Sequence, residues 1–409
     1  MPSVFEKNPK KTILVIIITL LLIMDFSLSI IYTKIKENRE RVGLGISHKN
    51  YHHDFIKNGY STESGRLGDY KLFTNSLGFK DKSNRKIARN TEKRRIVFIG
   101  DSFTEGILLN YQDTFVGMID SVVTSRNIEV LNAGRVSYSP IIYWRKLKYI
   151  IEDVKLKFDE LVVFIDISDI DDEASYYDLS VDENVIDQIE NNAGTYLEPR
   201  NYGMSWLISN QNIEKIRIYI RNNFLILSSG INWIHDILFQ DSLELQKASN
   251  KSVNDAEDVE MDTLASVKVH NTWDLVLSDR RANWTVDDKY YEEYGTLGKP
   301  RMIKYMNKLA HLTKENSIDL TVVVYPWPSQ IWYEDLKSIH VQIWQDWCDQ
   351  NDIKLINLFP SFIEVNSSEE KKLDIISKYY VPYDLHFNKA GNKRIANEFL
   401  KLYFNISEY

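Results

Sequence analysis

From about residue 94 onward, short apolar runs alternate with amphipathic stretches, and the alternation predicts strands near 95–99, 128–131, 161–165, 320–325 and 354–356. Between them apolar residues recur at helical spacing. One helix is predicted over about 140–155, with Ile141, Trp144, Leu147 and Ile151 on one face, and others over about 301–315, 333–350 and 389–403. This alternation specifies an α/β fold with a parallel sheet, and right-handed crossovers bring the loops at the carboxyl ends of its strands side by side.

The pattern differs in three places. After Lys7, Lys10 and Lys11, an apolar run over 12–24 resumes beyond Asp25 as Phe26-Ser27-Leu28-Ser29-Ile30-Ile31-Tyr32. Together these reach the roughly twenty residues that span a bilayer, so 12–32 reads as a transmembrane anchor. A cleaved signal peptide also fits a basic start and an apolar middle, but there is no Ala-x-Ala, and apolarity continues past Asp25. Lys34, Lys36, Arg39 and Arg41 follow the span, so basic residues on both sides leave its orientation open.

Residues 33–93 form an extension, polar and turn-rich from about 42. In Tyr51-His52-His53-Asp54 adjacent imidazoles on an extended segment would point to opposite sides, which favours structural or solvent-exposed roles over catalysis. The charged run 81–95 reads as a linker or solvated turn. The third departure, 171–298, is rich in Asp, Asn and aromatic residues and is expected to be an insertion, with a lid as one role open to it. It holds Ile213, Ile216, Ile220, Phe224 and Leu227 at helical spacing, then an acidic surface loop over 254–262. Tyr176, Tyr177, Trp206, Trp273 and Trp284 could stack on sugars, but filling a core is the default role for such residues. The core proper is then 94–170 with 299–409.

Composition narrows the chemistry. A net charge of −8 without clustered Lys and Arg argues against nucleic acid as a partner. The single cysteine, Cys348, rules out an intrachain disulfide, and the eight histidines include no ligand spacing, so no metal or other cofactor is expected.

Catalytic candidates lie at strand ends. Gly100-Asp101-Ser102-Phe103-Thr104-Glu105-Gly106 follows the run 95–99 and opens a helix-like segment, so the Ser102 hydroxyl can stand clear of the sheet. A serine needs an oriented base to attack an ester at neutral pH. Near the other end, Asn388 is a plausible N-cap for the last helix, which puts Asp384 and His386 on the loop before it. Two apart in an extended segment, they face one side, so the carboxylate can hold one imidazole nitrogen and leave the other for Ser102.

With Asn132-Ala133-Gly134 after the second strand, these blocks resemble the SGNH (GDSL-like) hydrolase superfamily in order and separation. The resemblance implies a three-layer, flavodoxin-like core in which Ser102, His386 and Asp384 are catalytic. It implies that Ser102 N–H and Gly134 N–H serve the oxyanion, with Asp101 and Asn132 in the same blocks. Where the family carries Asn in its third block, Phe164-Ile165-Asp166-Ile167-Ser168-Asp169 carries Ser168, whose hydroxyl reaches less far. Asp384-x-His386 is one residue shorter than the common spacing. It is similar to that of membrane-anchored SGNH proteins of exopolysaccharide O-acetylation, the alginate acetylation group, and the strings over 74–79 and 324–328 also look like sequences that accompany such domains. That likeness implies an acylated polysaccharide substrate, acetyl as the acyl group and a membrane-bound O-acyltransferase partner. It also implies a single-pass anchor in the inner membrane with the catalytic domain in the periplasm. The competing expectation is a non-catalytic SGNH-like scaffold for a glycan or an acyltransferase.

Overall fold

The polar stretch ahead of the core folds into strands. β1 Gly45–His48 and β2 His52–Phe55 pair as a separate hairpin, whereas β3 Tyr60–Gly65, β4 Gly68–Thr74 and β5 Lys80–Asp81 join the main sheet. A two-residue loop, Arg66-Leu67, connects β3 to β4. Asn75 closes the turn between β4 and β5: its Oδ1 accepts from Leu77 and Phe79 N–H, and its Nδ2 donates to Asp81.

The five predicted strands follow as β6 Arg94–Ile99, β7 Ile128–Asn132, β8 Glu160–Ile165, β9 Asp319–Val324 and β10 Lys354–Asn357. They form the parallel part of an eight-stranded sheet ordered β10-β9-β8-β6-β7-β5-β4-β3, with the last three antiparallel. Ile96, Val97, Phe98 and Ile99 are wholly buried, as expected of a parallel strand covered on both faces. The computed structural model describes residues 44–176 and 273–407, apart from 275, and isolated positions between 13 and 27. The chain divides into two units, Met1–Gly43 with Leu197–Val259 and Leu44–Tyr196 with Glu260–Tyr409, and every element named here belongs to the second.

The helices are α1 Ser102–Glu105, α2 Phe115–Val123, α3 Pro140–Glu152, α4 Asp169–Asp171, α5 Arg280–Asn283 and α6 Asp288–Glu315, then α7 Pro328–Trp332, α8 Ile339–Asn351, α9 Glu369–Tyr379 and α10 Lys389–Phe404. α3, α6 and α8 form one layer: Trp144 stacks on Tyr305, and Trp347 Nε1 donates to Asn307. α2 and α10 form the other, against the face that presents Phe98 and Phe164 to Phe399. Strand order reverses at β6, the kind of switch point where α/β folds open a crevice.

Two expectations change, and two hold. α6 runs unbroken through Pro300, so it begins well before the expected start near 301, and the expected domain boundary at 298/299 lies inside the helix. His52 takes φ +83°, so the alternation assumed for an extended segment fails, and the two imidazoles meet at 2.7 Å. Most of the run 81–95 is exposed, as expected of a linker, and it is tied down at its ends. Asp81 and Arg95 are buried, Arg85 bridges Asp81 and Glu129, and Arg95 also pairs with Glu129. Trp273 and Trp284 fill the core, the default role for such residues, with Trp284 Nε1 donating to Ile167 O.

Among the described residues no helix is long and apolar enough to cross a membrane. Most of 12–32 lies outside those residues, as do Tyr177, Trp206, the predicted helix around 213–227 and the acidic loop 254–262.

Candidate active site

The turn after β6 presents the serine. Asp101 is the N-cap of α1 and accepts from Phe103 N–H at 2.9 Å, which leaves Ser102 as the first helical residue. A first-turn N–H has no partner inside its helix, so that of Ser102 is available to an anion beside it.

Ser102 Oγ lies 2.7 Å from His386 Nε2, across 284 positions of sequence. His386 Nδ1 lies 2.5 Å from Asp384 Oδ1. The carboxylate therefore fixes the proton on Nδ1 and leaves Nε2 as the acceptor for the serine. A tight turn, and not an extended segment, brings the pair together: Asp384 N–H donates to Val381 O, and Val381 N–H donates to His386 O. The antiparallel bridge Tyr380–Phe387 and the Asn388 cap of α10 hold its far side. Phe103, the neighbour of the serine, packs its ring 4.7 Å from the imidazole.

Burial alone would raise the Asp384 carboxyl. The hydrogen bonds and charge of His386, with Arg66 nearby, outweigh that and hold it below the usual carboxylate range.

The expected oxyanion donors are placed differently. Asn132 ends β7 and bridges inward, its Nδ2 donating to Thr104 O at 2.8 Å while its Oδ1 accepts Gly134 N–H at 3.0 Å. Gly134 thus lies against α1, where a Cβ would meet Thr104 Cγ2 at 2.7 Å, but its N–H is engaged by Asn132. Ser168 is engaged too. Its Oγ donates to Asp166 Oδ1 at 2.5 Å and its N–H to the same oxygen at 2.8 Å.

Asp166, to which sequence reasoning assigned no role, is the centre of this polar layer. Its Oδ2 accepts Tyr325 Oη–H at 2.9 Å and Trp327 Nε1–H at 2.7 Å. Tyr325 Oη also lies 3.3 Å from Asp101 Oδ1, and Asp101 Oδ2 is 3.2 Å from Ser102 Oγ. The string Tyr325-Pro326-Trp327 thereby acquires a role, linking the third block to the first beneath Ser102. Burial, then the charge of Asp166, pushes the carboxyls of Asp101 and Asp169 well above the usual range. The signal that could have found Asp166 is an acid immediately after the apolar run 161–165.

Among the described residues no group of His, Cys, Asp and Glu is arranged to hold a metal ion. Cys348 is buried, and burial raises its thiol to about 12.

No known family model matches the sequence, and no curated protein does. Among solved structures the chain is similar to a variant of an acetyl xylan esterase from Geobacillus stearothermophilus (11% identity, 79% of this chain and 100% of that chain, TM-score 0.35). It is also similar to a GDSL-like lipase from Bacteroides thetaiotaomicron (11%, 77% and 91%, 0.33). A third is an alpha/beta hydrolase enzyme from the metagenome of Lake Arreo, Spain (13%, 76% and 95%, 0.33). At these TM-scores the functional reading rests on the geometry of the site.

Proposed function

We propose that this chain is an SGNH-like serine enzyme that cleaves or transfers ester-linked acyl groups, acetyl on a cell-envelope polysaccharide being the substrate class. The observation that carries the reading is the continuous line from Ser102 Oγ through His386 to Asp384, at 2.7 and 2.5 Å. In the reaction His386 Nε2 takes the hydroxyl proton as Oγ attacks the ester carbonyl, and Asp384 steadies the imidazolium. Ser102 N–H faces the developing oxyanion. Collapse expels the alcohol, to which His386 returns the proton, and leaves an acyl-serine. Water then yields a hydrolase, whereas a sugar hydroxyl yields an acyltransferase.

The purified full-length chain should release 4-nitrophenol from 4-nitrophenyl acetate. Ser102→Ala should lose at least about 10⁴-fold in kcat, the scale of deleting a triad member. Undiminished activity in that variant would sink the reading.

The rest of the proposal draws on the sequence alone. Residues 12–32 would anchor the chain in the inner membrane with the catalytic unit in the periplasm, and a membrane-bound O-acyltransferase would supply acyl groups. A carboxyl-terminal alkaline phosphatase fusion should then be active, and an inactive fusion alongside a fluorescent cytoplasmic one overturns the placement. A second reading, a non-catalytic glycan- or acyltransferase-binding scaffold, is favoured by the engagement of Gly134 N–H and Ser168 Oγ. It predicts that Ser102→Ala and His386→Ala leave the acetylation level of cell polysaccharide unchanged.

A further inference from the structure

We propose that the Arg66-Leu67 tip of the β3–β4 hairpin and the turn over 381–384 form a saccharide-binding rim for the alcohol side of the ester. In this rim Tyr383 stacks on a pyranose ring and Arg66 donates to its oxygens. The inference rests on the reading of Ser102 as the ester-cleaving nucleophile.

The first observation is the backbone at Tyr383. It takes φ +60° as the third residue of a turn closed by Asp384 N–H to Val381 O, with Pro382 in the second position. Glycine or asparagine normally fills that place, and a bulky aromatic there is an outlier that points to a role for the side chain. Burial does not explain it, since Tyr383 is 52% exposed. An exposed aromatic one residue from a triad carboxylate suits stacking on the apolar face of a sugar.

The second observation is the hairpin. Its tip reaches the triad: Arg66 Nε lies 3.8 Å from Asp384 Oδ2 while its side chain stays 56% exposed. One edge of the guanidinium faces the carboxylate, which leaves further N–H donors for a ligand. Leu67 beside it is 45% exposed. The hairpin is seated on the loop that follows α1. Lys71 N–H donates to Asn110 Oδ1 and the missing side chain of Gly65 admits Leu108, while on the neighbouring β5 Lys80 Nζ donates to the carbonyls of Gly106 and Leu109. The tip is therefore held beside the triad by the same loop that leaves the nucleophile. Cation, aromatic ring and short apolar edge fit a ring bearing hydroxyls better than an acyl chain.

The test is a ratio: kcat/KM for a mono-O-acetylated methyl glucopyranoside over kcat/KM for 4-nitrophenyl acetate, in the full-length chain. Tyr383→Gly should lower the ratio about tenfold, the scale of one lost ring contact. Tyr383→Phe should hold it within about twofold because the ring makes the contact, and Arg66→Ala should lower it several-fold. Tm should not fall in Tyr383→Gly, since glycine accepts the left-handed conformation without strain. An unchanged ratio in Tyr383→Gly, a Phe variant as poor as the Gly variant, or a lowered Tm that marks the ring as a structural plug overturns the inference. So does a loss confined to 4-nitrophenyl octanoate, which would make the rim an acyl-chain surface. Wild-type turnover of the aryl acetate with none of the sugar acetate overturns the rim and leaves the esterase standing, whereas no turnover of either removes both.

Discussion

At the residue scale the chemistry depends on where a few protons point. Ser168 Oγ–H is directed at Asp166, so Ser168→Ala should cost less than about tenfold in kcat for 4-nitrophenyl acetate. An oxyanion donor would cost about 10²–10³-fold on deletion, so a loss of that size would show that the hydroxyl turns to the substrate during reaction. Asp384→Asn should cost about 10⁴-fold by releasing the imidazole into the wrong tautomer. Because Asp384 lies below the usual carboxylate range, its contribution to stability is present above its unfolded pKa and lost only as pH falls through the lower folded one. The acid limb of the rate profile of the wild type should therefore not reflect protonation of Asp384. Ser102, Asp384 and His386 were legible because each sits at a punctuated end of an element and two are close in sequence. Asp166 was not, and the string around Tyr325 and Trp327 stood out without a role, since β8 and β9 become neighbours only in the folded sheet.

At the scale of elements, the parallel strands were readable as apolar runs and the extension was not. β3 alternates exposed and buried positions and carries Ser, Thr and Glu, so little in its composition distinguishes it from a loop. The clue was Gly65-Arg66-Leu67-Gly68 between two alternating segments, a two-residue hairpin loop flanked by glycines. α6 extends further back than its periodicity indicated: Pro300 removes one backbone donor yet is tolerated in a helix whose Gly298, Met302, Tyr305 and Leu309 are buried.

The start of α3 offers a pH test. Glu173 Oε1 accepts from Ile141 N–H at 2.7 Å and Ser139 Oγ–H at 2.8 Å, and burial, partly offset by these bonds, raises its carboxyl to about 7. A raised carboxyl stabilises the fold fully below its unfolded pKa and loses that contribution as pH rises through about 7. Glu173→Gln keeps an accepting oxygen without the titration. Its Tm relative to wild type should thus rise by a few degrees between roughly pH 4.5 and 8, followed by calorimetry. A pH-independent difference would mean that Glu173 does not titrate with folding.

Across the whole described unit, the extension is fastened to the core by buried charge. Lys146 Nζ on α3 meets Asp54 Oδ2 at 3.0 Å and Tyr138 Oη at 3.2 Å, and Tyr51 Oη–H donates to Asp54 at 2.6 Å. Asp54→Ala strands the lysine, so urea denaturation should show a loss of about 3–5 kcal/mol. Adding Lys146→Met should recover part of it, and an additive double mutant would mean that the pair is uncoupled. None of this was visible in Tyr51-His52-His53-Asp54, because its partner lies 92 positions away.

The distance in sequence between serine and base has a consequence in time. Ser102 is made early, but its imidazole is 284 residues downstream and is held by the bridge Tyr380–Phe387 and the cap of the last helix. If Ser102 acts as proposed, a nascent or prematurely ended chain carries the serine without the base that would deprotonate it. Synthesis itself would then delay reactivity at Ser102 until α10 has emerged.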